Sequence, residues 1–383
     1  MFGFYLHIPF CARRCPYCDF AIHIGARESF VADYVSALRR EIEIAAQNEA
    51  GNQRELTSIF FGGGTPTFLD SGVLASLLQL ILDNFSVAQN VEITIEANPE
   101  NLDWEKLEVL RNAGFNRLSL GVQSLDDDAL QFLGRVHRAA DVEAAVFRAR
   151  EIGWENISLD LIYAVPNQPL ESWKKTLQRS TSLPIQHVSC YSLTIEDDTS
   201  FGRRAAKGVL IPIVDDAQAD QMQVAQDVLE AEGFSRYEIS NYARPGRESK
   251  HNRNYWNGGD YLAVGCGAHG HQNGTRWWNE RDAEKYVALM ETPNLDFGSA
   301  RAGQEVLTSR QRLDELVMLG LRTREGFSIS EVSAKLGLDA RSTLNGALTE
   351  LLAQNWLIES GDVVRLSPHA FPVADAIAAK LLL

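Results

Sequence analysis

The chain has 383 residues, more than one compact core usually holds, so one large domain with a smaller appendage is expected. Hydrophobic residues at 45% and charged residues at 23% are ordinary globular values and exclude disorder and low-complexity arrays. A net charge of −15 argues against a nucleic-acid binder, because phosphate contacts need a basic face.

No run of about 18 apolar residues occurs, and Met1–Tyr5 lacks the basic start of a signal peptide, so a soluble cytoplasmic protein is expected. The first predicted strand, Phe2–Ile8, leads into Cys11-Ala12-Arg13-Arg14-Cys15-Pro16-Tyr17-Cys18. Cys11, Cys15 and Cys18 crowd into eight residues, while Cys190 and Cys266 stand alone. An odd, tightly clustered set reads as metal ligation rather than a disulfide framework. At C-x3-C-x2-C spacing a tight loop can aim three thiolates into one concavity. Three such ligands hold three corners of a [4Fe–4S] cube and leave the fourth iron open. Structural zinc with His7 or His23 as fourth ligand is the competing reading.

Further apolar, β-branched runs follow at Thr57–Phe61, Val91–Glu96, Phe115–Val122, Asn156–Tyr163 and His187–Leu193. Helical patterns lie between them, as at Ser29–Ala45 and at Gly72–Leu82, the latter with Asp70 or Ser71 as N-cap. This alternation predicts an α/β fold with a parallel sheet. The cysteine loop, Gly62-Gly63-Gly64, Glu96, Gln123 and Asp160 all fall at the C-terminal ends of predicted strands, which favours a partial barrel over an open doubly wound sheet. Residues 1–232 are assigned to this barrel with the cluster and its ligand. Residues 233–300 read as irregular and rich in Gly, Asn, Trp and Tyr. Residues 301–383 read as a small winged-helix-like α+β domain. With 9 Lys/Arg against 10 Asp/Glu that domain lacks the charge for DNA.

The cysteine motif, with Tyr17 before its last cysteine, resembles that of the radical S-adenosylmethionine (SAM) superfamily. Tyr5-x-His7-Ile8-Pro9-Phe10-Cys11, Phe61-Gly62-Gly63-Gly64-Thr65-Pro66-Thr67, Glu96-Ala97-Asn98-Pro99, Gly121-Val122-Gln123-Ser124, Gly134-Arg135-Val136-His137 and Asp160-Leu161-Ile162-Tyr163 extend the likeness. They resemble the branch that contains oxygen-independent coproporphyrinogen III oxidase. The resemblance implies a partial (β/α)6 barrel, a [4Fe–4S] cluster on Cys11, Cys15 and Cys18, and SAM chelating the open iron. It places Tyr5, Tyr17, Gly63, Gly64, Thr65, Glu96, Gln123, Arg135 and Asp160 against SAM or a second ligand.

Two departures separate the chain from the oxidase pattern. Phe20 stands where the oxidase has a further cysteine, and Cys11 follows only ten residues, so the oxidase's N-terminal lid is expected to be missing. Lys250-His251-Asn252-Arg253-Asn254-Tyr255-Trp256 contains H-N-x-x-Y-W, which resembles the HemW-type heme chaperones of the same branch. That resemblance implies heme as a ligand, His251 toward its iron, and Tyr255, Trp256, Trp277 and Trp278 as porphyrin-facing rings. The implied partners are acceptor heme proteins such as respiratory cytochromes, with peripheral membrane contact left open. The alternative is a radical SAM enzyme decarboxylating porphyrinogen propionates. Cys266 with His269 or His271 is a secondary iron candidate, although a Gly-rich turn is the simpler reading. Cys190 reads as a buried thiol.

Overall fold

The computed structural model describes residues 1–47 and 54–382. Its main sheet has twelve strands. In chain order these are β1 (Phe2–Ile8), β2 (Leu56–Gly63), β3 (Val87–Ala97), β4 (Arg117–Gln123), β5 (Ile157–Tyr163), β6 (His187–Ser192), β7 (Ser235–Arg236) and β8 (Asn241–Ala243). They continue with β9 (Asp260–Val264), β10 (His269–Gln272), β11 (Thr275–Asn279) and β12 (Arg301–Val306). The ladder runs β12-β11-β10-β9-β1-β2-β3-β4-β5-β6-β8-β7.

Strands β1 to β6 are parallel neighbours, and each crossover between them carries a helix, which makes the partial (β/α)6 barrel. Burial explains the unbroken apolar runs: in β1 and in β5 every residue but one is buried. The crossover helix Ser71–Asn84 starts where Asp70 accepts a hydrogen bond from the Gly72 amide, and it buries Leu74, Leu77, Leu78 and Ile81. Trp154 and Trp173 fill gaps between helices and sheet, their indole N–H groups donating to the carbonyls of Leu107 (3.1 Å) and Gln221 (2.9 Å).

The stretch 233–300, expected to be irregular, holds most of the sheet's antiparallel extension. Strand β9 joins the parallel set, pairing Phe2 with Asp260 and Leu6 with Val264. A short helix, Lys250–Trp256, precedes it, capped by the Ser249 side chain on the Asn252 amide. Strands β10, β11 and β12 then fold back antiparallel. The strands are short and punctuated by Gly265, Gly267, Gly270 and Gly274, which hides their periodicity from a sequence window.

After β12 the chain builds the winged-helix-like unit. Helices Ser309–Leu321, Ile329–Leu336 and Ala340–Ala353 pack on a three-stranded sheet in which Leu357–Ser360 and Val363–Leu366 form a hairpin turning at Gly361 (φ 64°). The unit is tied to the barrel by backbone bonds from Ile239 to Arg322 and from Arg324 to Tyr237, both 3.0 Å. The Arg236 guanidinium also lies 3.9 Å over the Phe371 ring. Among the described residues no helix is long and apolar enough to cross a membrane.

Candidate functional site: the cysteine loop and the barrel mouth

Cys11 lies on a two-residue strand, Phe10–Cys11, that pairs with His23–Ile24 and closes the loop between them. Inside the loop the Cys18 amide donates to the Cys15 carbonyl at 3.1 Å, a turn that brings those two side chains to one side. Two neighbours clamp the loop from outside. The Phe201 amide donates to the Pro16 carbonyl at 2.9 Å, and Gly134 lies so near Pro16 that a Cβ there would meet its ring at 2.7 Å. Tyr17 packs on Phe201, ring centroids 6.4 Å apart.

All three thiols are free and half-buried. Burial pushes Cys11 up to about 11, Thr65 opposing and the neighbouring cysteines adding to the rise, and burial pushes Cys18 up as well. Such groups stay protonated at neutral pH until a metal takes the proton's place. The Arg135 guanidinium stands 3.6 Å from the Cys15 sulfur, where it would offset the charge of a thiolate-ligated cluster. Its Nε is buried without a partner. The donor set and this cation fit a [4Fe–4S] cluster. Among the described residues no three His, Cys, Asp or Glu side chains gather around a single point. The ligands of a cube, by contrast, sit on separate iron corners.

The glycine triplet is required for a reason the sequence did not reveal. A Cβ on Gly64 would stand 2.7 Å from the Pro9 carbonyl oxygen, and one on Gly63 would stand 2.6 Å from the His7 ring. Gly63 also has φ +116°, a conformation side chains resist. The turn is laced to the cysteine strand by amide bonds from Gly64 to Ile8 (2.8 Å) and from Thr65 to Phe10 (2.9 Å). Thr65 adds a 3.5 Å contact with the Cys11 sulfur and accepts from Asn98 at 3.0 Å. Asn98 in turn accepts from Arg135 at 2.6 Å. One polar chain therefore links Cys11, Thr65, Asn98, Arg135 and Cys15. Asn98 lies within the Glu96-Ala97-Asn98-Pro99 motif, but nothing in the sequence alone marks it as this bridge.

Glu96 and Gln123 come from the ends of β3 and β4, whereas Asp160, expected at a strand end, lies midway along β5. Glu96 accepts from the Gly63 amide at 3.2 Å, and burial, with Asp160 adding repulsion, pushes it up to about 8. Asp160 accepts from Ser189 (2.7 Å) and Ser119 (3.3 Å), yet burial still raises it. Gln123 follows an irregularity in the β4–β5 register and has φ +68°, an uncommon conformation for a side-chain-bearing residue. Tyr5 shares a hydrogen bond of 3.0 Å with His7 Nδ1, while His7 Nε2 meets the Ala21 carbonyl at 2.8 Å. Burial takes His7 down to about 4, so its ring is neutral.

A cavity of about 670 Å³ opens beside this constellation, within the size range of small-molecule sites. Tyr5, His7, Gly63 and Glu96 line its barrel side, and Tyr255, Tyr261, His269, Trp278 and Arg281 line the side built from the extension. Phe20 and Asp19 border it directly after the last cysteine. Tyr255 and Trp278, two of the four rings that the resemblance implied for a porphyrin, line this cavity. Trp256 and Trp277 do not: Trp277 is buried across Gly270, and Arg322 covers Trp256 at 5.4 Å.

His251 also lies behind the cavity wall. It is only 1% exposed, its Nδ1 shares a hydrogen bond with Ser58 at 2.9 Å, and its Nε2 shares one with Tyr255 at 2.8 Å. Phe60 stacks on it at 5.0 Å, and burial takes it down to about 3. Cys266 is buried and pushed up to about 12 by that burial, and its amide donates to the Tyr34 hydroxyl; among the described residues no metal-holding group of three forms around it. Cys190 is likewise buried and raised, an inert thiol.

Residues 5–179 match the radical SAM superfamily model, and residues 307–373 match the HemN C-terminal domain. The chain is 38% identical to the heme chaperone HemW of Bacillus subtilis, over 95% of this chain and 94% of that protein. It is 36% identical to HemW of Mycobacterium tuberculosis H37Rv, over 100% and 95% respectively, and 33% identical to that of Escherichia coli K12, over 95% and 94%. In structure it resembles the coproporphyrinogen III oxidase HemN of Escherichia coli with a TM-score of 0.85, covering 99% of this chain and 89% of that one. At 24% identity that likeness speaks for the fold. With full-length identities well above the level at which folds alone agree, the chain belongs to the HemW family of the radical SAM superfamily.

Proposed function

We propose that the protein is a heme chaperone: it holds heme at the barrel mouth, beside a SAM-ligated [4Fe–4S] cluster, and passes it to acceptor heme proteins, those of the respiratory chain foremost. The observation that carries this reading is full-length similarity to several proteins named heme chaperones, joined to a cavity walled by aromatic rings beside the cysteine loop. Superfamily membership implies the cluster and SAM. When bound, that pair supplies an iron with one exchangeable position and a sulfonium that can accept an electron.

The chain's own residues have distinct tasks in this reading. Cys11, Cys15 and Cys18 are the cluster ligands, and Arg135 holds its charge against them. Glu96 and the backbone of Gly63, Gly64 and Thr65 meet the methionine end of SAM. Tyr5, Tyr17, Gln123 and Asp160 complete its surround. Residues 1–232 form the cluster unit, 233–300 the heme-facing segment and 301–383 the winged-helix-like appendage. We further propose a cytoplasmic location with transient contact to membrane-bound acceptors.

The test is anaerobic cluster reconstitution followed by three parallel assays: heme titration, SAM cleavage and coproporphyrinogen turnover. The reading expects saturable heme binding and no protoporphyrinogen above the background of a Cys15→Ala variant. Protoporphyrinogen formation above that background would make the protein an oxidase.

A further inference from the structure

The polar chain that joins Cys11 to Cys15 has a direction, and the chemistry of its donors fixes it. A guanidinium carries donors only. Arg135 Nη2 therefore meets the carbonyl side of the Asn98 amide, at 2.6 Å, which leaves Asn98 Nδ2 to donate to Thr65 Oγ1 at 3.0 Å. The Thr65 oxygen accepts that bond, so its own hydrogen is free to point elsewhere. The Cys11 sulfur lies 3.5 Å away. A sulfur bound to iron is a thiolate and can only accept, so the hydroxyl donates to it. The other guanidinium nitrogen, Nη1, donates toward the Cys15 sulfur over 3.6 Å. Both branches from one arginine thus end with a hydrogen aimed at a ligand sulfur.

The surroundings hold the amide in that orientation. Arg135 Nη2 also donates to the Gly121 carbonyl at 2.9 Å, which fixes the guanidinium. A Cβ on Gly121 would stand 3.0 Å from Asn98 Oδ1, so the glycine leaves room for the amide. Thr65 is buried, which shelters its hydroxyl from water. The relay therefore joins the glycine turn, the residue directly after β3, a glycine of β4 and the arginine beyond it. Reduction adds negative charge to a cluster and its sulfurs, so a donor to a sulfur stabilises the reduced state more than the oxidised one.

Resting on the reading of Cys11, Cys15 and Cys18 as cluster ligands, we propose that Asn98 is a positioning residue that aims the Thr65 hydroxyl hydrogen at the Cys11 sulfur. Arg135 then supplies one ligand sulfur directly and a second through Asn98 and Thr65, and the pair of donors raises the reduction potential of the cluster.

The test is anaerobic reconstitution of the full chain without SAM, then a redox titration followed by electron paramagnetic resonance. The variants are Thr65→Val, Thr65→Ser, Asn98→Asp and the Thr65→Val/Asn98→Asp double. The proposal expects Thr65→Val to lower the ratio of reduced to oxidised cluster at a fixed potential by roughly tenfold, about 59 mV for one electron. Thr65→Ser keeps the hydroxyl and should match the wild type. In Asn98→Asp the carboxylate accepts from both Arg135 and the Thr65 hydroxyl, turning that hydrogen away from the sulfur. The potential then falls, and Thr65→Val adds nothing further in the double variant. Wild-type potential in Thr65→Val, or falls that simply add in the double variant, would overturn the proposal. Should Thr65→Val take up no iron, Asn98→Asp carries the test alone, and a wild-type potential there overturns the proposal equally. A wild type that shows no [4Fe–4S] signal would instead overturn the cluster assignment itself, and this relay with it.

Discussion

Glu96 lies at the site with its carboxyl held away from water. Its ordinary value of 4.5 rises to about 8 in the folded protein, so the native state binds its proton more tightly than the unfolded chain. The stability this adds is complete below the unfolded value and is lost as pH climbs through the folded one. Glu96→Gln cannot ionise, so its stability relative to wild type should improve between about pH 4.5 and about pH 8 and then level off. Urea midpoints across that range measure it, and a difference that does not vary with pH would contradict the burial argument. At Gly64 a side chain meets backbone rather than a movable tip. Gly64→Val should therefore lower stability by about 1–3 kcal/mol and reduce iron retained after reconstitution, whereas unchanged melting and iron content would contradict the close approach.

The strand-end positions of Glu96 and Gln123 and the spacing of the cysteines were legible in the sequence, whereas Asp160 falls in the middle of β5 rather than at its end. The accessibility of the histidines was not legible, since only the folded strands reveal that Ser58 and Tyr255 occupy His251 while His269 faces open space.

At the scale of elements, the buried parallel strands announced themselves as apolar runs, whereas the helix Lys250–Trp256 did not. Its sequence is almost wholly polar, and it holds its place, with His251 and Asn254 buried, because polar partners meet it. The Glu92 carboxylate accepts from the Ser249 hydroxyl (3.3 Å) and from the amides of Lys250 (3.1 Å) and His251 (3.2 Å). Those amides belong to the first turn of the helix and have no partner within it. Glu92→Ala should cost about 1–3 kcal/mol and speed hydrogen exchange across residues 249–256 before the rest of the barrel. Uniform exchange would show that the helix is held otherwise. In the cysteine loop, Cys15→Ala leaves two thiols, too few to retain a cube. The expected outcome is loss of bound iron and sulfide with the melting of the barrel nearly unchanged, because Cys15 lies in a loop outside the strands.

Across the whole molecule, one buried apolar cluster runs from Phe2 through the barrel to Leu381 in the last helix. The appendage is therefore packed on the barrel rather than strung from it. Phe371, under the Arg236 guanidinium, is a point of that contact. Phe371→Ala should remove about 3 kcal/mol and separate the unfolding of residues 307–382 from that of the barrel. A single unchanged calorimetric transition would contradict it. Fold class and the winged-helix-like shape were readable from alternation and turn residues. The antiparallel extension was not, because its strands depend on pairing with β9 and with one another rather than on their own pattern. That extension supplies one wall of the cavity, and the radical SAM barrel supplies the other.

We propose further that heme held at this junction is passed on under control of the cluster, because residues directly after the last cysteine border the same cavity. This control is tested most directly by loading the protein with heme and following, anaerobically, restoration of an apo-cytochrome's absorption. The wild type should transfer, and the Cys11/Cys15/Cys18→Ser variant, loaded equally, should transfer slowly or not at all. Equal transfer by both would contradict the account.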